Sequence, residues 1–189
     1  MNEQPGRIVV GITGATGAVY GIKLLEALKS AQVETHLIIT NWGKQTIKLE
    51  TNYTLEEVTG LADYTYEEDN LAATLASGSF LHDGMVVCPC SMKTLAAIAH
   101  GYTVNLMIRA ADVTLKEKRK LVLLPRETPL RAAHLENMLK LTQEGAIIMP
   151  PLPSFYNQPT CLTDVINQTV GRVLDMLAIK NDLTKRWQG

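Results

Sequence analysis

Cysteine is scarce in this chain of 189 residues: Cys88, Cys90 and Cys161 are the three present, an odd number. The opening residues, Met1 to Gly6, are polar and lack the charged-then-apolar order of an export signal, so no disulfide framework is expected. A metal centre is not expected either. The four histidines, His36, His82, His100 and His134, are scattered through different segments, and no set has ligand spacing with the cysteines. Neither sign of charge dominates: 18 Lys and Arg face 19 Asp and Glu, for a net charge of −1. That balance gives no general attraction to nucleic acid or anionic lipid, so an anion site has to be built locally. Long hydrophobic runs are missing too, and none approaches the ~18 apolar residues of a membrane span. These absences predict a cytoplasmic protein. At 46% hydrophobic side chains, it is long enough to bury one core and reads as a single domain over residues 1–189, with a flexible stretch at 1–6.

What is present begins with Ile8-Val9-Val10-Gly11-Ile12-Thr13-Gly14-Ala15-Thr16-Gly17-Ala18, an apolar run that breaks into glycines three apart. The pattern predicts a strand, a tight turn and a helix whose free N–H groups face a phosphate. Four further β-branched runs follow, at residues 35–39, 85–88, 121–124 and 146–149, each separated from the next by helical periodicity. Nearly continuous apolar strands alternating with helices predict a doubly wound α/β sandwich around a mostly parallel sheet, of the Rossmann or flavodoxin-like type. Its ligand is expected at the carboxyl ends of the strands. Residues 64–80 are polar and predict a loop. Pro150-Pro151-Leu152-Pro153-Ser154-Phe155-Tyr156 predicts a stiff loop after the last strand.

A dinucleotide site fits poorly. The second strand ends Ile39-Thr40-Asn41, with no acidic residue to hold ribose hydroxyls, and Glu34 stands at the wrong end. Thr40 and Asn41 suit instead the single phosphate and open ribityl chain of flavin mononucleotide. A second polar rim is expected at Cys90-Ser91-Met92-Lys93-Thr94, although Ser91 on its own reads equally as a helix cap. Arg126 and Glu127 directly follow a buried-looking strand and so land on the ligand edge. Arg109, Lys116, Arg172 and Glu50 read individually as solvated surface residues.

Seven motifs taken together resemble the UbiX-like flavin prenyltransferases, including the small partners of hydroxyarylic-acid decarboxylases. They are Thr-Gly-Ala-Thr-Gly-Ala, Cys-Pro-Cys-Ser-Met-Lys-Thr-Leu, Arg-Ala-Ala-Asp-Val-x-Leu-Lys-Glu, Pro-Arg-Glu-Thr-Pro-Leu, His-Leu-Glu-Asn-Met, Phe-Tyr-Asn-Gln-Pro and the terminal Arg186-Trp187. The resemblance covers residues 7–189. It implies that reduced FMN is joined, without a metal, to dimethylallyl monophosphate at N5 and then C6, and that the prenylated FMN passes to a UbiD-like decarboxylase. It implies FMN contacts at Gly14, Ala15, Thr16, Thr40, Ser91, Met92, Lys93, Thr94 and Arg126. Prenyl-phosphate contacts fall on Arg109, Lys116, Tyr156 and Arg172. Glu127, Glu50, Lys116, Thr16 and Trp187 become the candidate catalytic groups, Trp187 as a π-rich wall for an allyl cation and the two glutamates in proton transfer.

The resemblance further implies a homo-oligomer, a dodecamer by family habit, with sites shared between subunits and the tail at 180–189 contributing to the site. One departure is Val104, where the family usually has aspartate before Asn-Leu. Two other readings compete: a flavin-dependent decarboxylase of the phosphopantothenoylcysteine type, whose Pro-x-Met-Asn-x-x-Met signature is replaced here, and a non-catalytic FMN-binding subunit.

Overall fold

A computed structural model describes residues 6–184 and 186. Six parallel strands make one sheet: β1 (Arg7–Ile12), β2 (Glu34–Ile39), β3 (Tyr64–Tyr66), β4 (Gly84–Cys90), β5 (Lys120–Pro125) and β6 (Ile147–Ile148). Their order is β3-β2-β1-β4-β5-β6, the doubly wound arrangement the alternating pattern predicts. The order reverses between β1 and β4, and the crevice that opens above that pair is where such a sheet takes its ligand.

Apolar residues on both faces of the strands explain the two layers. Val10 and Ile12 of β1 point into a core shared with Leu25 of helix α1 (Ala18–Ser30) and Val170 of the last helix, α7 (Leu162–Met176). Val9 and the β4 residue Val87 point the other way, against Leu95 of α4 (Met92–Ala99) and Met107 of α5 (Leu106–Lys116). Each fully buried Leu or Ile contributes about 1.5–3 kcal/mol. Helices α2 (Asn41–Glu50), α3 (Leu55–Thr59) and α6 (Ala132–Gln143) complete the layers. Gly21 lets α1 lie directly on the sheet, since a Cβ there would run into the Cys88 carbonyl. The N-terminus of α1 is thereby pinned at the switch point.

The structure corrects two boundaries. Residues 64–80 are not all loop, because Tyr64–Tyr66 pairs with β2 as the sheet's edge strand. It is three residues long and followed by Glu67-Glu68-Asp69, which masks its β-forming Tyr-Thr-Tyr. What holds it is tertiary: Tyr64 stacks on the buried His36 ring at 4.7 Å between centroids, and the Tyr66 hydroxyl lies 2.9 Å from His36 Nδ1. In the sequence, Thr128 followed by Pro129 predicts the start of a long helix, but α6 starts at Ala132, because the chain stays extended through Arg131 (φ −100°, ψ 164°). Among the described residues, no helix is long and apolar enough to cross a membrane.

Candidate functional site

Four strands end together at the crevice, and their loops are bonded to one another. The Thr13 hydroxyl donates to the Pro89 carbonyl (2.7 Å) and accepts from the Ser91 amide (2.9 Å). The Arg126 amide donates to the Cys90 carbonyl, and the Thr40 amide to the Ile12 carbonyl. Thr40, Thr13, Ser91 and Arg126 thus stand in a row across the ends of β2, β1, β4 and β5. Glu68 braces one end of the row. Its carboxylate accepts from the Asn41 amide (2.8 Å) and the Asn105 side chain (3.0 Å).

Within this row the backbone supplies donors. Among the described residues, nothing accepts from the amides of Gly14, Ala15 and Thr16, nor from those of Met92 and Lys93 in the first turn of α4. Five N–H groups from two loops are therefore left to donate to a ligand with acceptor edges. The first loop departs from the expected phosphate cradle in one respect. Gly17, at φ +102°, turns the chain into α1, but the Gly17 and Ala18 amides are taken by the Glu50 carboxylate, at 2.7 and 3.3 Å. The positive end of α1 is already neutralised from within the chain.

Glu50 is thereby brought onto Gly17, the residue after Thr16, from 33 residues away. The Thr40 and Ser91 hydroxyls cap α2 and α4 by accepting from Gly43 and Thr94, and the Ser91 hydroxyl also donates to Thr94 Oγ1 (3.1 Å). Both bland and functional readings of Ser91 are compatible with that position. Cys88 and Cys90 are fully buried behind it. Burial pushes both thiols up, that of Cys90 to about 12, so neither is a thiolate nucleophile.

The charged candidates fall in three places. Arg126 and Glu127 lie on the crevice edge; the Arg126 guanidinium has no partner among the described residues, and Glu127 accepts only from the neighbouring Thr128 amide. Arg172, on α7, lines a cavity of about 250 Å³ with Met149, Leu152 and Ser154, from the segment that leaves β6 and the proline-rich loop. Tyr156 sits farther along that loop in a short 3-10 turn and is exposed. Lys116 is elsewhere. It ends α5, four residues before Lys120, which pairs with the first residue of β4, so it occupies the opposite edge of the sheet from Arg126. The six residues of β5 between those edges span about 20 Å. Lys116 is paired with Glu117 at 2.7 Å, and Arg109 is held by Asp112 and the Ala76 carbonyl. The structure does not bring these two cations to the crevice of their own chain. Trp187 lies outside the described residues.

Sequence reasoning missed Thr13, Glu68 and Asp175. Asp175 accepts from Arg172 (2.7 Å), from Asn181 (3.1 Å) and twice from Arg186. The Arg186 guanidinium, aided by Asn181 and Arg172, holds its carboxyl below the usual carboxylate range against the opposing effect of burial. The spacing of three between Arg172 and Asp175 on a helix was a legible signal. Among the described residues, no group of three or more His, Cys, Asp or Glu is placed to hold a metal ion.

Comparison with known proteins agrees with this fold. Residues 1–184 match the Flavoprotein family. A probable UbiX-like flavin prenyltransferase of Bacillus subtilis is 56% identical over 183 residues, covering 97% of this chain and 90% of the relative. The crystal structure of AnUbiX (PadA1) with FMN and dimethylallyl pyrophosphate superposes with a TM-score of 0.97 at 52% identity, covering 98% of this chain and 99% of that one. A dodecameric FMN-dependent UbiX-like decarboxylase from Escherichia coli O157:H7 gives a TM-score of 0.95 at 52% identity, covering 97% of this chain and 100% of that one.

Proposed function

The chain belongs to the flavoprotein family and, within it, to the UbiX-like flavin prenyltransferases, and from that premise we propose that it joins dimethylallyl monophosphate to reduced FMN. The prenylated FMN is released to a UbiD-like decarboxylase. The observation that carries this reading is the set of five unclaimed N–H groups between the β1 and β4 loops, bordered by Arg126. A flavin has acceptors along its pyrimidine edge and on its phosphate, and fits such a donor-lined crevice. An accessory subunit would need the crevice alone, but this chain also has the phosphate-binding side chains that transfer requires.

When bound, the reduced flavin supplies the nucleophilic positions, N5 and then C6. The protein's share is electrostatic. Lys116, Arg126 and Arg172 neutralise charge on the leaving phosphate, which in a water-poor site replaces the usual need for a metal ion. Tyr156 donates a hydrogen bond to that phosphate while its loop covers it. Thr16 and the backbone of Gly14 and Ala15 orient the ring. Glu127 is the proton-transfer group at the crevice, and Glu50 acts beside Thr16 with its carboxylate anchored on α1. Trp187 provides the aromatic wall for the allyl cation.

Since Lys116 and Arg126 stand on opposite sheet edges of one chain, we place Lys116 in the site of a neighbouring subunit. Exposed apolar side chains support assembly, notably Trp42 (71%), Leu49 (83%) and Phe155 (75%). The assembly we take to be a dodecamer, as in the E. coli O157:H7 relative. Residues 1–189 act as one domain in this reading, and the free cysteines fit a reducing cytoplasm.

The test is anaerobic incubation with reduced FMN and dimethylallyl monophosphate, followed by mass spectrometry of the extracted flavin. A flavin heavier by one prenyl group is expected. Unmodified flavin from protein that demonstrably binds FMN would leave an accessory subunit or a different prenyl donor.

A further inference from the structure

The described part of the C-terminal tail folds back on α7 at one place. Asn181 donates to the Gly171 carbonyl (3.2 Å) and to Asp175 Oδ1 (3.1 Å). Gly171 is needed for this approach, because a Cβ there would collide with the Thr184 hydroxyl and press on Asn181. Arg186 then closes on Asp175 with two parallel bonds, 2.9 Å to Oδ2 and 2.8 Å to Oδ1. Oδ2 also accepts from Arg172 Nη1 at 2.7 Å. The Asp175 side chain is 12% exposed, and Arg172 and Arg186 are 48% and 57% exposed. One nearly buried carboxylate thus bonds two cations that water still reaches.

The geometry points to Asp175 as a positioning residue that couples two parts of the site: it aims Arg172 and clasps the C-terminal tail onto the same helix. Engaging Nη1 leaves Nε and Nη2 of Arg172 without a partner among the described residues, and Arg172 borders the cavity with Met149, Leu152 and Ser154. A guanidinium held at one nitrogen keeps the rest of its fork for a phosphate and loses less rotamer freedom on binding. The bidentate clasp on Arg186 fixes the residue immediately before Trp187 in sequence. Removing Asp175 therefore releases both the phosphate ligand and the tail, although the residue itself contacts neither substrate. This inference rests on the reading of Arg172 as a prenyl-phosphate ligand.

The test uses the full chain under anaerobic turnover with reduced FMN and dimethylallyl monophosphate. Asp175→Asn should raise KM for the prenyl phosphate about tenfold, the loss expected for a charge-assisted bond, while FMN affinity stays unchanged. Tryptic cleavage after Arg186, followed by mass spectrometry, should accelerate. Asp175→Glu, which keeps the charge, should recover part of both effects. Gly171→Ala displaces the tail, with Asn181 and Arg186, but keeps the Asp175 carboxylate for Arg172; it should accelerate cleavage and leave KM for the prenyl phosphate within about twofold. A wild-type KM and cleavage rate in Asp175→Asn, with KM raised in Arg172→Ala, overturns the positioning role. A wild-type KM in Arg172→Ala as well overturns the phosphate reading of Arg172, and this inference with it. Faster cleavage in Gly171→Ala accompanied by an equal rise in KM means the tail, not Asp175, aims Arg172, and also overturns the inference.

Discussion

The Thr13 hydroxyl accepts from the Ser91 amide at 2.9 Å across 78 residues of sequence, and itself donates to the Pro89 carbonyl at 2.7 Å. Thr13 is 1% exposed, so water cannot replace either bond. Through this one oxygen the loop after β1 and the loop after β4 keep their spacing, and both contribute unclaimed amides to the crevice. Thr13→Val keeps the shape and strands the Ser91 amide, while the Pro89 carbonyl keeps only the Thr13 amide, at 3.3 Å. The expected loss is about 1–3 kcal/mol of stability, read by denaturant unfolding, with FMN affinity at least about tenfold weaker by flavin-fluorescence titration. Thr13→Ser should restore most of both. Wild-type FMN affinity in a folded Thr13→Val protein would show that flavin binding does not depend on this bond.

Glu50 separates two roles that a single deletion would confuse. Its carboxylate caps α1 through the Gly17 and Ala18 amides. Glu50→Ala removes an acceptor and a helix-dipole charge together, for an expected loss of about 1–2 kcal/mol in unfolding free energy. Glu50→Gln keeps an acceptor oxygen and should cost less than about 1 kcal/mol. If single-turnover prenylation nevertheless falls as far in the Gln variant as in the Ala variant, the charge is needed for chemistry. Rates that follow stability alone would confine Glu50 to capping.

The sheet was legible because parallel strands covered on both faces leave continuous apolar runs, as in Ile8 to Ile12. Tyr64–Tyr66 was not, because an edge strand of three residues is held by the His36 ring across from it rather than by its own pattern. At the site, the glycine turn and the Ser91 cap followed from local spacing. The use of Glu50 as the cap of α1 did not, since it depends on α2 lying beside the β1 loop. The separation of Lys116 from Arg126 is likewise a fact of topology. Ten residues apart in sequence, they are carried to opposite sheet edges by the intervening strand.

The ring of His82 sets an expectation about acid. Burial pushes it from the ordinary 6.5 down to about 4; its Nδ1 lies 3.1 Å from the Gly84 carbonyl, and Arg119 and His36 add repulsion that Asp83 only partly offsets. The unfolded chain binds this proton more readily, so the contribution is complete above pH 6.5 and is lost as pH falls toward 4. The ring is only partly buried, and after screening the loss amounts to about 1–2 kcal/mol. His82→Gln should flatten the stability profile between those pH values in urea titrations. An unchanged slope would assign the acid sensitivity to other groups.

Lys116 and Arg126 offer the most direct test of how the site is assembled. If both act on one phosphate, the roughly 20 Å of β5 between their sheet edges is too long for either side chain to bridge, and the second cation must come from another copy. Lys116→Ala and Arg126→Ala should each abolish prenylation when purified alone. After the two are mixed, dissociated and reassembled at equal concentration, a site drawing Lys116 from one chain and Arg126 from another is intact with a probability of about one quarter. Prenyl transfer should therefore return to about a quarter of the wild-type rate. A site built from a single chain predicts none, because every chain in the mixture lacks one of the two cations. Recovery that depends on subunit exchange, and is absent when the two proteins are mixed without dissociation, would place Lys116 across a subunit boundary from the crevice it serves.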